Sequence, residues 1–553
     1  MTDPASFRKA RGAFFTPAAI TAYLAAWAIR SPADHVLEPS CGEASFLLAA
    51  GERLRALGTP PDRLTAQLHG VEIHAGSARQ AARLLAERGL RAGIEVGDFF
   101  GRPPAPAFDA VIGNPPYVRY QNFSGEARAR AQRAALAAGV RLTGLSSSWA
   151  AFTIHASRFL RPDGRLSLVL PGELLTVNYA AQVRRFLLQR FARVRLVLFE
   201  TRVFPGVLEE VVLLLAEGQG GAPHFELFQA GSLDALPAPN APAWTEHWPE
   251  DGKKWTPALI AADSFSLYRH LAAGPGFAPM LDWGETWLGA VTGNNAWFSL
   301  GFEEAARLGL AMDDLRRISP PGSRHLKGLE FDRRAWEHLA AEGAACFLFD
   351  PRDDTDAAVR RRIEAGRQCG VETAYKCRVR SPWWRVPVGA VPDLLLTYMN
   401  QDRPRLLTND ARVHILNSVY GVTLRPGLLR LGREMLPLAF LNSFSLLGAE
   451  MVGRSYGGGL LKLEPREADM LPVPSPATLR AASPVLRAAR PAVAAALLAG
   501  DVAGAVAQVD RILLTGQLGL DDGQLAALRM ARDLLSQRRR ARGRRRAEGT
   551  PDR

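Results

Sequence analysis

The residue types best suited to chemistry in this chain stand together in Phe108-Asp-Ala-Val-Ile-Gly-Asn-Pro-Pro-Tyr117. Pro115 keeps Asn114 out of the helical region, and Pro115 and Pro116 fix their own φ angles, so the tetrapeptide is a stiff extended turn. It aims a carboxamide oxygen, a backbone carbonyl and an aromatic ring at a common point. A planar amine such as adenine N6 is a poor nucleophile because its lone pair is delocalised into the ring. If Asn114 and the Pro115 carbonyl each accept one N–H, the nitrogen is drawn towards tetrahedral geometry and its lone pair faces an incoming methyl group. Tyr117 would stack on the base and hold it there. Turn chemistry alone demands neither Asn nor Tyr at these positions.

The elements that must position this turn read as an open α/β sheet. Val111 and Ile112 close a buried strand and Gly113 lets the backbone leave it sharply, which puts the turn at the strand's carboxyl end, where such sheets bind ligands. Upstream, His35-Val-Leu-Glu-Pro-Ser-Cys-Gly-Glu-Ala-Ser-Phe-Leu47 reads as strand, tight turn and helix, with Gly42 in the turn and Ala44 where a second glycine is usual. Leu68 to Ile73 is the next strand and ends at Glu72, an acid placed to bind ribose hydroxyls. Ile94 to Phe100 supplies a third strand end, where Asp98 would accept from an adenine amino group beside the apolar Phe99. Two acids at successive strand ends and Asn114 at the fourth define one crevice. Ahead of them, Phe15-Thr16-Pro17 opens an amphipathic helix through Ile20, Tyr23, Leu24 and Trp27. Its free N–H groups and the Thr16 hydroxyl suit a carboxylate.

Apolar runs at Leu166–Leu170, Val194–Phe199 and Val211–Leu215 complete seven strands of a doubly wound sheet. The last two are close enough to form an antiparallel hairpin. Between them Arg202-Val-Phe-Pro-Gly206 would present Phe204 to the other face of a flipped base.

At 553 residues the chain has room for two or three domains, and 47% apolar with 22% charged residues is ordinary for a globular protein. A net charge of +13 is not ordinary and implies an anionic partner, nucleic acid foremost. Cys41, Cys346, Cys369 and Cys377 show no zinc-type spacing, so no metal is expected and reduced thiols fit a cytoplasmic protein. No apolar run reaches membrane-spanning length.

These motifs resemble the class I S-adenosylmethionine-dependent DNA methyltransferases, specifically the γ-type adenine-N6 group typified by the TaqI methyltransferase. The likeness covers about the first 220 residues in motif order: Phe15-Thr16-Pro17, Glu38-Pro39 through Phe46, Glu72, Asp98-Phe99, Asn114 to Tyr117, and Phe204-Pro205. It implies that Thr16 and the Glu38-Pro39-Ser40-Cys41-Gly42 turn hold the methionine end of the cofactor, Glu72 with Ile73 the ribose side, and Asp98 with Phe99 its adenine. Asn114, Pro115 and Tyr117 would hold the target base in double-stranded DNA, with Phe204 as a second aromatic contact. Ala44 departs from the commonest glycine pattern. The same tetrapeptide occurs in enzymes that methylate glutamine in release factors, but those are compact, whereas more than 300 residues follow the sheet here. Cytosine-N4 transfer, RNA methylation and an inactive DNA-binding defence component are further functions that the same fold could serve.

Residues 1–222 are therefore expected to be the catalytic domain. A Gly, Pro, Ala and Trp-rich stretch, 223–258, suggests a linker. Residues 259–475 read as a mixed α/β target-recognition domain, with Arg and Lys interleaved with aromatics at Gly289–Phe298, Tyr375–Pro387 and Arg454–Pro465. From 476 the chain turns Ala, Leu and Arg rich with helical spacing and ends in a basic tail, Arg538 to Arg546, expected to be disordered. The nearest nuclease-like arrangement, Asp251-Gly-Lys253 with Asp234 upstream, sits in the Pro-rich stretch and reads as chance, so a restriction endonuclease would be a separate chain.

Overall fold

A computed structural model describes residues 16–118, 122–199, 203, 211–236, 244–250, 252–456 and 459–541. Phe15, Phe204 with Pro205, Asp251 and the tail from 542 lie outside them. The chain divides into two compact units, one of residues 1–259 with 541–553 and one of residues 260–540.

The first unit is built on a nine-stranded sheet. Its strands are β1 (Val36–Glu38), β2 (Leu68–Glu72), β3 (Gly93–Val96), β4 (Phe108–Gly113), β5 (Leu160–Pro171), β6 (Arg193–Phe199), β7 (Val211–Glu217), β8 (Phe225–Ala230) and β9 (Thr245–His247), in the order β3-β2-β1-β4-β5-β7-β6-β8-β9. The first five run parallel, and β7 enters antiparallel between β5 and β6, as the short connection required. Helices α1 (Ala18–Ala28), α2 (Ser45–Ala56), α3 (Ala75–Glu87), α4 (Gly125–Leu136), α5 (Ser148–Ser157) and α6 (Ala181–Arg190) accompany the strands. The central strands are apolar because both faces are covered: Ala110, Val111 and Ile112 of β4 have no exposure, nor do Leu213, Leu214 and Leu215 of β7. Each large apolar side chain among them contributes roughly 1.5–3 kcal/mol by leaving water.

The sheet exceeds the expected seven strands because residues 223–258 are not simply a connecting segment. Phe225 to Ala230 alternates like a half-buried strand, and Glu226 lies opposite Arg195 in register, its carboxylate 2.9 Å from the Arg195 Nε. Trp255 stacks on Phe225 at 4.1 Å, so part of the Trp-rich composition reflects packing against this strand, while Trp248 is exposed.

The second unit holds a five-stranded sheet, two three-stranded sheets and one two-stranded sheet. The helices expected as a separate carboxyl-terminal region, led by Pro476–Leu498 and Val502–Asp510, bury Leu479, Leu486, Val493 and Val509 in the same core as Met280, Leu394 and Val422. Arg538 to Arg540 are not a disordered tail. They belong to the helix Asp522–Ala541, and Arg539 is 2% exposed. The aromatics expected among DNA-contacting arginines also divide. Trp297, Phe298, Trp383 and Trp384 are core residues, whereas Tyr375 is 66% exposed and Tyr456 43%. Among the described residues, no single helix is long and apolar enough to cross a membrane.

Candidate active site

Chain order reverses between β1 and β4, which lie side by side, so their carboxyl ends open the crevice. The ends approach closely: a Cβ placed on Gly113 would be 3.7 Å from both Glu38 Cγ and Pro39 Cδ.

The turn after β1 is held by two acids. Glu38, 2% exposed, accepts a hydrogen bond from the Leu47 amide at 3.0 Å and so closes the first turn of α2. Burial pushes the Glu38 carboxyl well above the usual carboxylate range; the Leu47 amide pulls against this, and the Glu72 charge adds to it. Glu72 accepts from the Gly42 amide and from the His74 amide, each at 2.9 Å, so it ties the β1 turn to the end of β2. Gly42 has φ +47°, and a Cβ there would meet nothing within 4 Å, so its backbone borders open space. Ala44 takes the left-handed conformation expected of the missing glycine, with φ +63°. Pro39 is buried and Ser40 half-buried in the bend, while the Cys41 side chain points inward, its sulfur 3.1 Å from where a Cβ on Gly70 would sit. Ile73, the residue after Glu72, is 60% exposed at the strand end.

At the end of β3, Asp98 accepts from the Phe100 amide at 3.0 Å and pairs with Arg130 at 3.3 Å. Phe99 is 3% exposed and packs on Phe152, His155 and Phe159 at 5.0, 4.8 and 5.1 Å. Its ring therefore belongs to an aromatic cluster behind the strand end, with Asp98 in front.

The turn after β4 is anchored at several side chains and leaves two acceptors open. Asn114 Nδ2 donates to Thr16 Oγ1 at 3.2 Å. Tyr117 Oη donates to the Val169 carbonyl at 2.9 Å, which fixes the ring. Ser148 Oγ donates to the Pro116 carbonyl and accepts from the Val118 amide. By contrast, Asn114 Oδ1 is buried without a partner, and no described residue donates to the Pro115 carbonyl. Thr16 is 4% exposed, and α1 starts after Pro17 with no side-chain cap, so its first amides are unbridged by a side chain.

Sequence reasoning missed Ser148, thirty residues from the amide it holds, as well as the Thr16–Asn114 bond and the double role of Glu72. It also missed a neighbouring network in which Trp149 Nε1 donates to Glu173 at 3.1 Å and to the Tyr179 hydroxyl at 3.0 Å. Nothing local in the run Leu145-Ser-Ser-Ser-Trp149 announces these partners.

Residues 4–220 match the N-6 DNA methylase family, and residues 252–514 match the C-terminal domain of the type II methyltransferase M.Eco57I. Over residues 4–220 the chain is similar to the N6-adenine DNA methyltransferases. Type II methyltransferase M.XamI of Xanthomonas campestris pv. amaranthicola is 28% identical over 499 residues, covering 87% of this chain and 88% of that protein. M.AccI of Acinetobacter calcoaceticus is 20% identical over 484 residues, covering 83% and 84%. The structure of the type IIL restriction-modification enzyme MmeI in complex with DNA matches with a TM-score of 0.57 at 12% identity, over 94% of this chain and 75% of that one, and shows a shared fold. This N6-adenine DNA methyltransferase transfers a methyl group to the exocyclic nitrogen of adenine in DNA, and cytosine, glutamine or RNA methylation and an inactive fold are not favoured.

Proposed function

We propose that the target adenine is extruded from duplex DNA into the crevice at β1 and β4, where Asn114 Oδ1 and the Pro115 carbonyl accept its two N6 hydrogens. The observation that carries this reading is a pair of unengaged acceptors between anchored neighbours: Asn114 Oδ1 is buried and partnerless, while Asn114 Nδ2 donates to Thr16, the Pro116 carbonyl accepts from Ser148 and the Tyr117 hydroxyl donates to Val169. A buried acceptor left unmade costs roughly 1–3 kcal/mol, which a substrate N–H would offset. Two such acceptors weaken delocalisation of the N6 lone pair. Tyr117, its hydroxyl tethered to Val169, presents a fixed ring for the base to stack on. Extrusion itself costs a few kcal/mol. Phe204 is the proposed second aromatic wall.

The residues present fit S-adenosylmethionine as the methyl donor. When bound, it supplies an electrophilic methyl group on a sulfonium. Open space at Gly42, the Glu72 carboxylate with one lone pair per oxygen still free, and exposed Ile73 suit its sugar and apolar edge. Thr16 and the uncapped start of α1, with the Glu38 to Gly42 turn, suit its amino-acid end, and Asp98 an amino group, with Phe99 packed behind. The unit of residues 260–540 is proposed to grip the duplex, and a restriction endonuclease to be a separate chain.

The test is transfer of labelled methyl from S-adenosylmethionine to unmethylated genomic DNA, followed by nucleoside analysis, for the wild type and Asn114→Ala. N6-methyladenine from the wild type and none from the variant is the expected result. Normal turnover by Asn114→Ala removes the mechanism.

A further inference from the structure

Thr16 and Asn114 are 98 positions apart and share a hydrogen bond that can be made in two senses. A hydroxyl has one hydrogen to give and two lone pairs to receive, and a carboxamide has both a donor and an acceptor end. In the arrangement observed, Asn114 Nδ2 donates to Thr16 Oγ1, and Oδ1 is left without a partner. If the carboxamide turned by half a revolution, the Thr16 hydroxyl would donate to Oδ1 and the amide hydrogens would face the target amine. Donor would then meet donor, and the N6 hydrogens would have no acceptor at Asn114. The sense of this one bond therefore decides whether the crevice can accept the target amine, and it depends on where Thr16 sends its hydrogen. Thr16 stands at the start of α1, whose amino-terminal end has no side-chain cap and whose Ala18 and Ala19 are exposed. An anion at that end would take the Thr16 hydrogen together with the free amides.

We propose that Thr16 is a positioning residue that couples occupancy of the methyl-donor site to the orientation of the Asn114 carboxamide. A carboxylate at the start of α1 takes the Thr16 hydrogen. The hydroxyl can then only accept from Asn114 Nδ2, and Oδ1 is turned towards the target amine. The inference rests on the reading of Asn114 given above and adds a link between the two sites. Because binding linkage is reciprocal, an occupied donor site must tighten binding of an extruded base, and only of a base that carries amine hydrogens.

The experiment measures DNA affinity of the full chain with and without S-adenosylhomocysteine, on duplexes containing the methylated sequence with either adenine or unsubstituted purine at the target position. S-adenosylhomocysteine should tighten wild-type binding of the adenine duplex by roughly tenfold, and hardly that of the purine duplex. Thr16→Val should lose this gain and, at saturating donor, fall about 10- to 100-fold in single-turnover rate, while Thr16→Ser keeps both. An equal gain on both wild-type duplexes overturns the proposal. So does a Thr16→Val protein that keeps the gain, or one whose rate is restored in full by saturating donor, since Thr16 would then be a donor contact alone. Retained S-adenosylhomocysteine binding by Thr16→Val shows that it is folded, and Thr16→Ser tests the hydroxyl if it is not. Asn114→Ala tells the two failures apart: if it is inactive while the coupling is absent, the reading of Asn114 stands and only the link falls.

Discussion

Two buried polar clusters, one in each unit, follow opposite rules. In the second unit Asp510 has no exposure and both of its oxygens are engaged: Oδ1 accepts from the Ser443 amide at 2.7 Å, and Oδ2 from the Ser443 hydroxyl at 2.7 Å and from Arg529 Nε at 3.0 Å. Arg539 is similarly saturated, holding Glu450 at 2.7 Å and donating to the carbonyls of Gln401, Gly459 and Asp402. In the crevice of the first unit, the Ser148 and Tyr117 hydroxyls are engaged and Glu72 accepts one hydrogen bond on each oxygen, yet Asn114 Oδ1 has no partner. Saturation marks groups that hold the fold. A buried acceptor left open at the mouth of a strand-end crevice, among engaged neighbours, is where a ligand can complete the set.

The largest expected effect separates the clusters by what each variant loses. Asn114→Ala should lower methyl transfer by at least about 10²–10³-fold, the range for removing one group that stabilises a developing charge. Its thermal unfolding should fall only slightly, because Oδ1 had no partner to lose and the one side-chain hydrogen bond removed is the Nδ2 donation to Thr16 Oγ1. Arg539→Ala should behave oppositely. Leaving Glu450 buried and unpaired costs about 3–5 kcal/mol, visible as a lower denaturation midpoint, while S-adenosylmethionine affinity is retained. If Asn114→Ala unfolds as readily as Arg539→Ala, the distinction between open and saturated groups fails.

The same comparison explains what could be read from the sequence. The strand ends that border the crevice were legible because their parts are local: a strand, a tight turn and one candidate residue, repeated at Glu38, Glu72, Asp98 and Asn114, each at or just beyond the carboxyl end of its own strand. The antiparallel β6–β7 hairpin followed from a short connection. The saturating partners were not legible, since Thr16 meets Asn114 across 98 positions and Arg539 meets Glu450 across 89. A run of arginines looks like a solvated tail until the carboxylate that buries one of them is known. Phe225 to Ala230 was obscured for a related reason. Its glycine- and proline-rich flanks suggested a connection, and only the pairing of Glu226 with Arg195 shows that it extends the sheet.

A smaller effect is expected where one group serves both rules. Glu72 holds the Gly42 and His74 amides and is also the proposed ribose contact. Glu72→Ala should weaken S-adenosylmethionine binding by about ten- to a hundredfold, as loss of a charged hydrogen bond of roughly 1.5–3 kcal/mol implies, and Glu72→Gln should do so less. Calorimetric titration of both variants checks the order, and an unchanged affinity in Glu72→Ala would mean that its role is confined to the turn.

The smallest effect concerns Glu38, which is engaged on one oxygen yet sits where burial disfavours its charge. Its carboxyl is raised by burial and by Glu72, with the Leu47 amide pulling the other way. The folded chain therefore holds this proton more tightly than the unfolded chain does. The stability tied to it is fully present below the unfolded-state value and declines as pH rises through the window up to the raised folded-state value. Glu38→Gln removes the titration and keeps an oxygen for the Leu47 amide. Unfolding of the variant and wild type should thus differ little in acid, and the variant should gain on the wild type as pH rises from the unfolded-state value towards neutrality. Thermal scans across that range check the slope. A variant that instead loses stability steadily as pH rises would show that the Glu38 charge supports the turn, and would place Glu38 with Arg539 among the groups whose ionised form holds the fold.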